Sequence, residues 1–200
     1  MGFWEKILVS ATAIGTAFLA YSWLTKKDAW AGSDRVLVLG DSIVASPGFL
    51  STLREGFGPG VEVKLVSLAG QGTGPIKDAG LEAAHSWQPD VVIVLAGVND
   101  LASGRGWQHA ANNLNNLYNA LEDMGIYVVA VRLTPWTQHI EGAHLQGETK
   151  KLNDWITKHK VPVATVYTDD VAPYTGRDGL HLSRHGGKKL AELVLYSVRL

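Results

Sequence analysis

The chain has 200 residues, 46% of them hydrophobic and 18% charged, enough apolar content for one buried core and too little polar bias for a disordered chain. Its formal net charge of −1, from 18 basic and 19 acidic residues, gives no electrostatic reason to expect nucleic acid or an acidic polymer as partner. Cysteine is absent, which excludes disulfide scaffolds, thiolate nucleophiles and thiolate metal sites while fitting either redox compartment.

From Ile7 to Leu24 no residue is charged, and these 18 residues just reach the length that crosses a hydrocarbon core. Glu5 and Lys6 precede the run, Lys26 and Lys27 follow it, and Trp4, Tyr21 and Trp23 lie near its ends, where amphipathic rings favour a membrane interface. Residues 1–28 therefore read as a single N-terminal transmembrane anchor. The competing reading is a cleaved secretory signal, because Ala29-Trp30-Ala31 has the small-x-small form of a cleavage site. Against it, the apolar run exceeds a usual signal core and two lysines separate it from that site. Lys26 and Lys27 argue for a cytoplasmic carboxyl-terminal domain, while Lys6 and the amino terminus argue for the other side. The expectation adopted is a membrane location with the domain outside the cytoplasm.

Residues 29–34, rich in small side chains, read as a linker, and 35–200 as one domain. Apolar, β-branched runs predict strands at Val36–Leu39, Val61–Leu68, Val91–Ala96, Ile126–Leu133 and Val163–Tyr167. Helical spacing predicts helices over 47–57 and 76–87. A third is drawn by Leu114, Leu117, Tyr118, Leu121 and Met124, with Gly125 as a left-handed stop. Leu152, Trp155, Ile156 and His159 give a fourth, and Leu190, Leu193, Val194 and Ser197 a last. Strands alternating with helices imply parallel pairing with right-handed crossovers, hence an α/β fold of three layers, α/β/α, around a five-stranded parallel sheet. In such a sheet the carboxyl ends of the strands share one edge, where distant residues converge on a crevice.

Four short motifs fall at that edge. Gly40-Asp41-Ser42 follows the first strand and reads either as a tight capped turn or as a serine nucleophile at the sheet's mouth. A serine hydroxyl needs a base and a site for developing negative charge. His181 is the best base: in Asp178-Gly179-Leu180-His181 a carboxylate three residues earlier can hold one ring nitrogen and leave the other free. Asn99, in Gly97-Val98-Asn99-Asp100, can donate its side-chain amide to an oxyanion. Gly70-Gln71-Gly72-Thr73-Gly74 fails as a dinucleotide fingerprint, since it reads GxGxG before Pro75 and follows the second strand; a glycine N–H approaching substrate is the better use. His181 and His185 have the i, i+4 spacing of metal ligands but no Glu between them, so no metal and no cofactor is expected. Trp107 and Trp136, with Thr134 and Arg105, border the same edge and are candidates for packing an acyl chain or a sugar, or for covering the core.

Taken in order, these motifs resemble the four blocks of the SGNH hydrolases, the GDSL esterases and lipases, over the whole of residues 35–200. The resemblance implies a flavodoxin-like sandwich with Ser42 as nucleophile, His181 as base and Asp178 as its orienter. It further implies an oxyanion hole from the N–H groups of Ser42 and a block-two glycine with the Asn99 amide. Ser67-Leu68-Ala69 departs from the usual block-two approach, which leaves Gly70 or Gly72 as that glycine, with Gly70 favoured. The absence of GxSxG argues against an α/β-hydrolase. The expected activity is cleavage of carboxylic esters, with a small-molecule, lipid or glycan ester as substrate. O-acyl transfer and a catalytically silent envelope-binding domain of the same fold are the alternatives.

Overall fold

The computed structural model describes residues 34–135, 142–159, 162 and 164–199. The predicted anchor, its linker up to residue 33, and Trp136 lie outside the described residues. Among those described, no helix is long and apolar enough to cross a membrane.

Five strands, β1 (Arg35–Gly40), β2 (Glu62–Ser67), β3 (Val91–Leu95), β4 (Tyr127–Val131) and β5 (Ala164–Val166), form one sheet in the order β2-β1-β3-β4-β5. Every pairing is parallel. The helices are α1 (Phe49–Phe57), α2 (Thr73–Trp87), α3 (Val98–Ala102), α4 (Gly106–Asp123), α5 (Gly142–Lys158) and α6 (Arg184–Arg199). α1 packs with α6, while α2, α4 and α5 form a row of neighbours; right-handed crossovers put these two groups on opposite faces of the sheet.

Val36–Leu39 and the whole of β3 are buried, because helices cover both faces of these central strands and no polar side chain is tolerated there. The stripe Leu114, Leu117, Tyr118 and Leu121 is likewise buried against the sheet. The chain leaves β1 for β2 on one side and returns to β3 on the other, so the strand order reverses between β1 and β3. The crevice of an open α/β sheet forms at such a switch point, beyond the strands' carboxyl ends. The loops after β1 and β3 therefore face each other across it. Gly40 is required at this point: a Cβ there would lie 2.1 Å from the Leu95 carbonyl oxygen on β3.

Several boundaries differ from the expected ones for identifiable reasons. α4 begins eight residues before Leu114, because Ala110 and Ala111 continue the buried stripe with side chains too small to register as an apolar pattern. α2 begins at Thr73 and takes Pro75 into its first turn, where the missing N–H is harmless. The fourth strand stops at Val131: beyond it, Leu133 gives its N–H to Asn153 Oδ1 (2.7 Å) and accepts from Asn153 Nδ2 (3.0 Å), a side chain replacing a strand neighbour. Val98–Ala102, expected to be loop, is a short helix.

Candidate active site

Ser42 is the first residue of a one-turn 3-10 helix, Ser42–Ala45, that follows β1. The turn is capped by Asp41, whose Oδ1 accepts the Ile43 N–H at 3.0 Å. Ser67 Oγ on the neighbouring strand donates to the Asp41 carbonyl at 2.8 Å, tying the turn to the sheet. With its backbone so held, Ser42 presents a half-buried hydroxyl at the crevice, and its own N–H, first in the turn, has no intrahelical acceptor.

The imidazole arrives from the far end of the sequence. Between the Asp169–Tyr174 turn and α6 the chain doubles back in a small hairpin: Thr175 bridges Leu182, the Gly176 N–H donates to the His181 carbonyl, and Ser183 N–H donates to the Tyr174 carbonyl. Ser183 Oγ then accepts the Gly186 N–H at 3.2 Å and starts α6. Asp178 and His181 lie on opposite limbs of the hairpin. Asp178 Oδ2 is 2.5 Å from His181 Nδ1, and its Oδ1 accepts the Leu180 and His181 N–H groups at 3.1 and 3.0 Å. The hydrogen bond to His181, with help from these two backbone donors, holds the Asp178 carboxyl below its ordinary pKa. A carboxylate there requires the proton on Nδ1, so Nε2 is left as acceptor. That Nε2 lies 2.8 Å from Ser42 Oγ, across 139 residues of sequence. A hydroxyl, an imidazole of fixed tautomer and an ionised carboxylate thus form one unbroken relay, the arrangement that activates a serine.

The strands on either side of β1, β2 and β3, end in loops at the same edge of the sheet as Ser42. Leu68 to Gln71 forms a turn closed by the Gln71 N–H on the Leu68 carbonyl (3.1 Å). Gly70 has φ +73° at its third position, a conformation that only glycine adopts cheaply. Gly70 is exposed, and among the described residues its N–H has no hydrogen-bond partner. Asn99 Nδ2 donates to the Gln71 carbonyl at 3.0 Å. A carbonyl can only accept, so this bond fixes which way the amide faces and leaves its second N–H available.

A family model described as GDSL-like Lipase/Acylhydrolase matches residues 38–189. The chain belongs to this family. By structure the domain is similar to TesA, at 20% identity and a TM-score of 0.70 over 82% of this chain and 98% of that one. It is also similar to the psychrotrophic esterase EstA from Pseudoalteromonas sp., solved inhibited by monoethylphosphonate, at 16% identity and a TM-score of 0.62 over 83% and 97% of the two chains. A catalytic mutant of Axe2, an acetylxylan esterase from Geobacillus stearothermophilus, gives 14% identity and a TM-score of 0.70 over 84% and 94%. At such identities the likeness carries the fold. Among curated proteins, none matches this chain in sequence.

Within this GDSL domain, among the described residues, the remaining candidates make no hydrogen bond or ion pair to Ser42, His181 or Asp178, and Arg105 instead lies 3.8 Å from Asp100 Oδ1. Trp107 is half-buried against the core near the start of α4, its backbone N–H bonded to Glu148 Oε2 at 3.0 Å. Thr134 is buried on the chain leaving β4. His185 does not share a helix face with His181, which precedes α6; its ring packs on Tyr174 with centroids 4.6 Å apart. Among the described residues no cluster of three or more His, Asp or Glu side chains could hold a metal ion.

Two residues of the motifs carry more than their sequence suggests. Asp41 and Asp100 are both fully buried acids, Asp41 directly after the apolar run of β1 and Asp100 directly after Asn99. Burial pushes the Asp41 carboxyl up to about 6, against the Ile43 N–H bond and the nearby His181, which pull it down; its Oδ2 has no hydrogen-bond partner. For Asp41 a charged residue directly after a buried strand was the available signal; Asp100, inside the short helix α3, had none of that kind.

Proposed function

We propose that this chain is a serine hydrolase that cleaves carboxylic esters, acyl or acetyl, through an acyl-enzyme on Ser42. The observation that carries the reading is the relay from Asp178 through His181 to Ser42 Oγ, with bonds of 2.5 and 2.8 Å. In this reading His181 Nε2 takes the hydroxyl proton as Ser42 Oγ bonds to the acyl carbon, and Asp178 stabilises the resulting imidazolium. The carbonyl oxygen gains the negative charge and is met by the N–H groups of Ser42 and Gly70 and the free Asn99 N–H. His181 returns the proton to the departing alcohol as the carbon–oxygen bond breaks. Water, deprotonated by the same imidazole, then releases the acid and restores Ser42.

The family, whose described members include lipases and acylhydrolases, supports the ester chemistry. The uncharged run of residues 7–24 supports a second element of the proposal, a single-pass anchor; the domain is placed outside the cytoplasm, near lipid or wall-polymer esters, the side that Lys6 and the amino terminus favour. The deciding experiment is turnover of p-nitrophenyl acetate and butyrate by the purified protein. Ser42→Ala is expected to abolish it, together with labelling by a fluorophosphonate; unchanged turnover by that variant would remove the mechanism.

A further inference from the structure

The carboxylate of Asp100 has no exposure to solvent, a costly state for a charge unless partners compensate it. Its partners all belong to the oxyanion side of the crevice. Oδ2 accepts the backbone N–H of Thr73 at 2.7 Å, across 27 residues of sequence. Among the described residues Oδ1 makes no hydrogen bond, but it faces the half-exposed Arg105 guanidinium, Nη1 at 3.8 Å, and the half-exposed His109 ring, Nε2 at 3.6 Å. Gly72 lies so close that a Cβ there would be 2.7 Å from Asp100 Oδ1 and 2.8 Å from Arg105 Nη1. Thr73 is held a second time, through its hydroxyl, by Asn113 Nδ2 at 3.0 Å.

Consecutive residues of the β3 loop therefore grip the β2 loop at both kinds of backbone group, Asn99 at the carbonyl of Gln71 and Asp100 at the N–H of Thr73. Between and before these two grips lies the Gly70–Gly72 segment. We propose that Asp100 is a positioning residue for the oxyanion hole, clamping residues 70–73 so that the Gly70 N–H is aimed at the place where the substrate oxygen becomes negative. The inference rests on the reading of Gly70 as an oxyanion donor. Asp100 itself, buried beneath the loop, touches no substrate. A donor must come within about 2.7–3.1 Å of the oxyanion to act, and a displacement of about 1 Å can cost on the order of 10²-fold in rate; an exposed glycine turn needs an external hold to meet that tolerance.

The test compares Asp100→Ala and the isosteric Asp100→Asn with the unaltered protein by three measurements: kcat and KM on p-nitrophenyl butyrate, the rate of fluorophosphonate labelling, and its end point, which counts competent sites. Oxyanion donors act in the transition state, so kcat per competent site should fall with KM nearly unchanged. The expected losses are about 100-fold for Asp100→Ala and about 10-fold for Asp100→Asn, whose amide oxygen still accepts from Thr73, with the labelling rate falling in parallel. A clamp is overturned if kcat per competent site stays within about two-fold in either variant, or if KM alone changes; Asp100→Asn carries the test should Asp100→Ala not fold. Because the unaltered protein and Ser42→Ala are measured alongside, failure of the serine mechanism would appear as turnover surviving in Ser42→Ala, independently of any result at Asp100.

Discussion

In the mechanism proposed for Ser42, Asp178 belongs to the base and Asp100 to the oxyanion loop, and the two are built in opposite ways. Asp178 is 53% exposed and every partner it has lies within three residues, on its own hairpin. Asp100 is wholly buried and is tied to a loop 27 residues away. A proton relay tolerates exposure because imidazole and carboxylate need only each other and a stiff turn. Placing backbone donors for an oxyanion demands that two separate loops be fixed relative to one another, and the proposed clamp uses a buried carboxyl group, bonded to the Thr73 N–H, for the fixing. The base side should therefore be separable from stability, and the oxyanion side should not.

The largest effect expected from that contrast is at Asp178. Replacing it with Ala removes the group that sets the His181 tautomer, which should lower kcat by about 10⁴-fold. The stability loss should stay within about 1 kcal/mol, as for an exposed residue with local contacts. Paired measurements of esterase rate and urea midpoint check this; a variant that unfolds as it loses activity would erase the distinction between the two sides. Asn99→Ala comes next, with an expected loss on the order of 10²–10³ in kcat. A loss of only a few-fold, with KM absorbing the rest, would take Asn99 out of the oxyanion hole.

The same contrast explains what the sequence made legible. The DGLH hairpin is readable because its whole logic spans four residues, Asp178 to His181, and the buried strands are readable because an uninterrupted apolar run announces itself. The Asn99 motif was visible, but the work of Asp100 was not: Thr73, Arg105 and His109 converge on it without any fixed spacing. The meeting of Ser42 with His181 follows from sheet topology and from the family resemblance, since no local pattern links residues 139 apart. The early end of β4 and the early start of α4 escaped for a third reason. Asn153 substitutes for a strand, and Ala110 and Ala111 for a leucine stripe, through contacts that composition alone does not encode.

Asp41 sharpens the comparison with the smallest effect, one of pH and not of rate. It is as buried as Asp100, and burial, outweighing the Ile43 N–H bond and the nearby His181, lifts its carboxyl from 3.8 to about 6. Between those values the folded protein holds a proton that the unfolded chain has released. Stability linked to this group is therefore fully present below about pH 4 and is lost as pH rises through about 6. Asp41→Asn removes the titration while keeping an oxygen for the Ile43 N–H. Any constant penalty for its buried amide cancels when the two proteins are compared at two pH values. Between pH 7.5 and pH 4 the unaltered protein should gain on the variant by on the order of 1–3 kcal/mol, from about 1.4 kcal/mol per unit of pKa difference. Urea unfolding at the two pH values measures this directly. The Asp178 carboxyl, which is shifted in the opposite direction, is common to both proteins and drops out of the difference. A difference that stays flat, or that moves in the variant's favour on acidification, would mean that Asp41 is compensated after all, and that the two buried acids flanking the crevice are held in the same way.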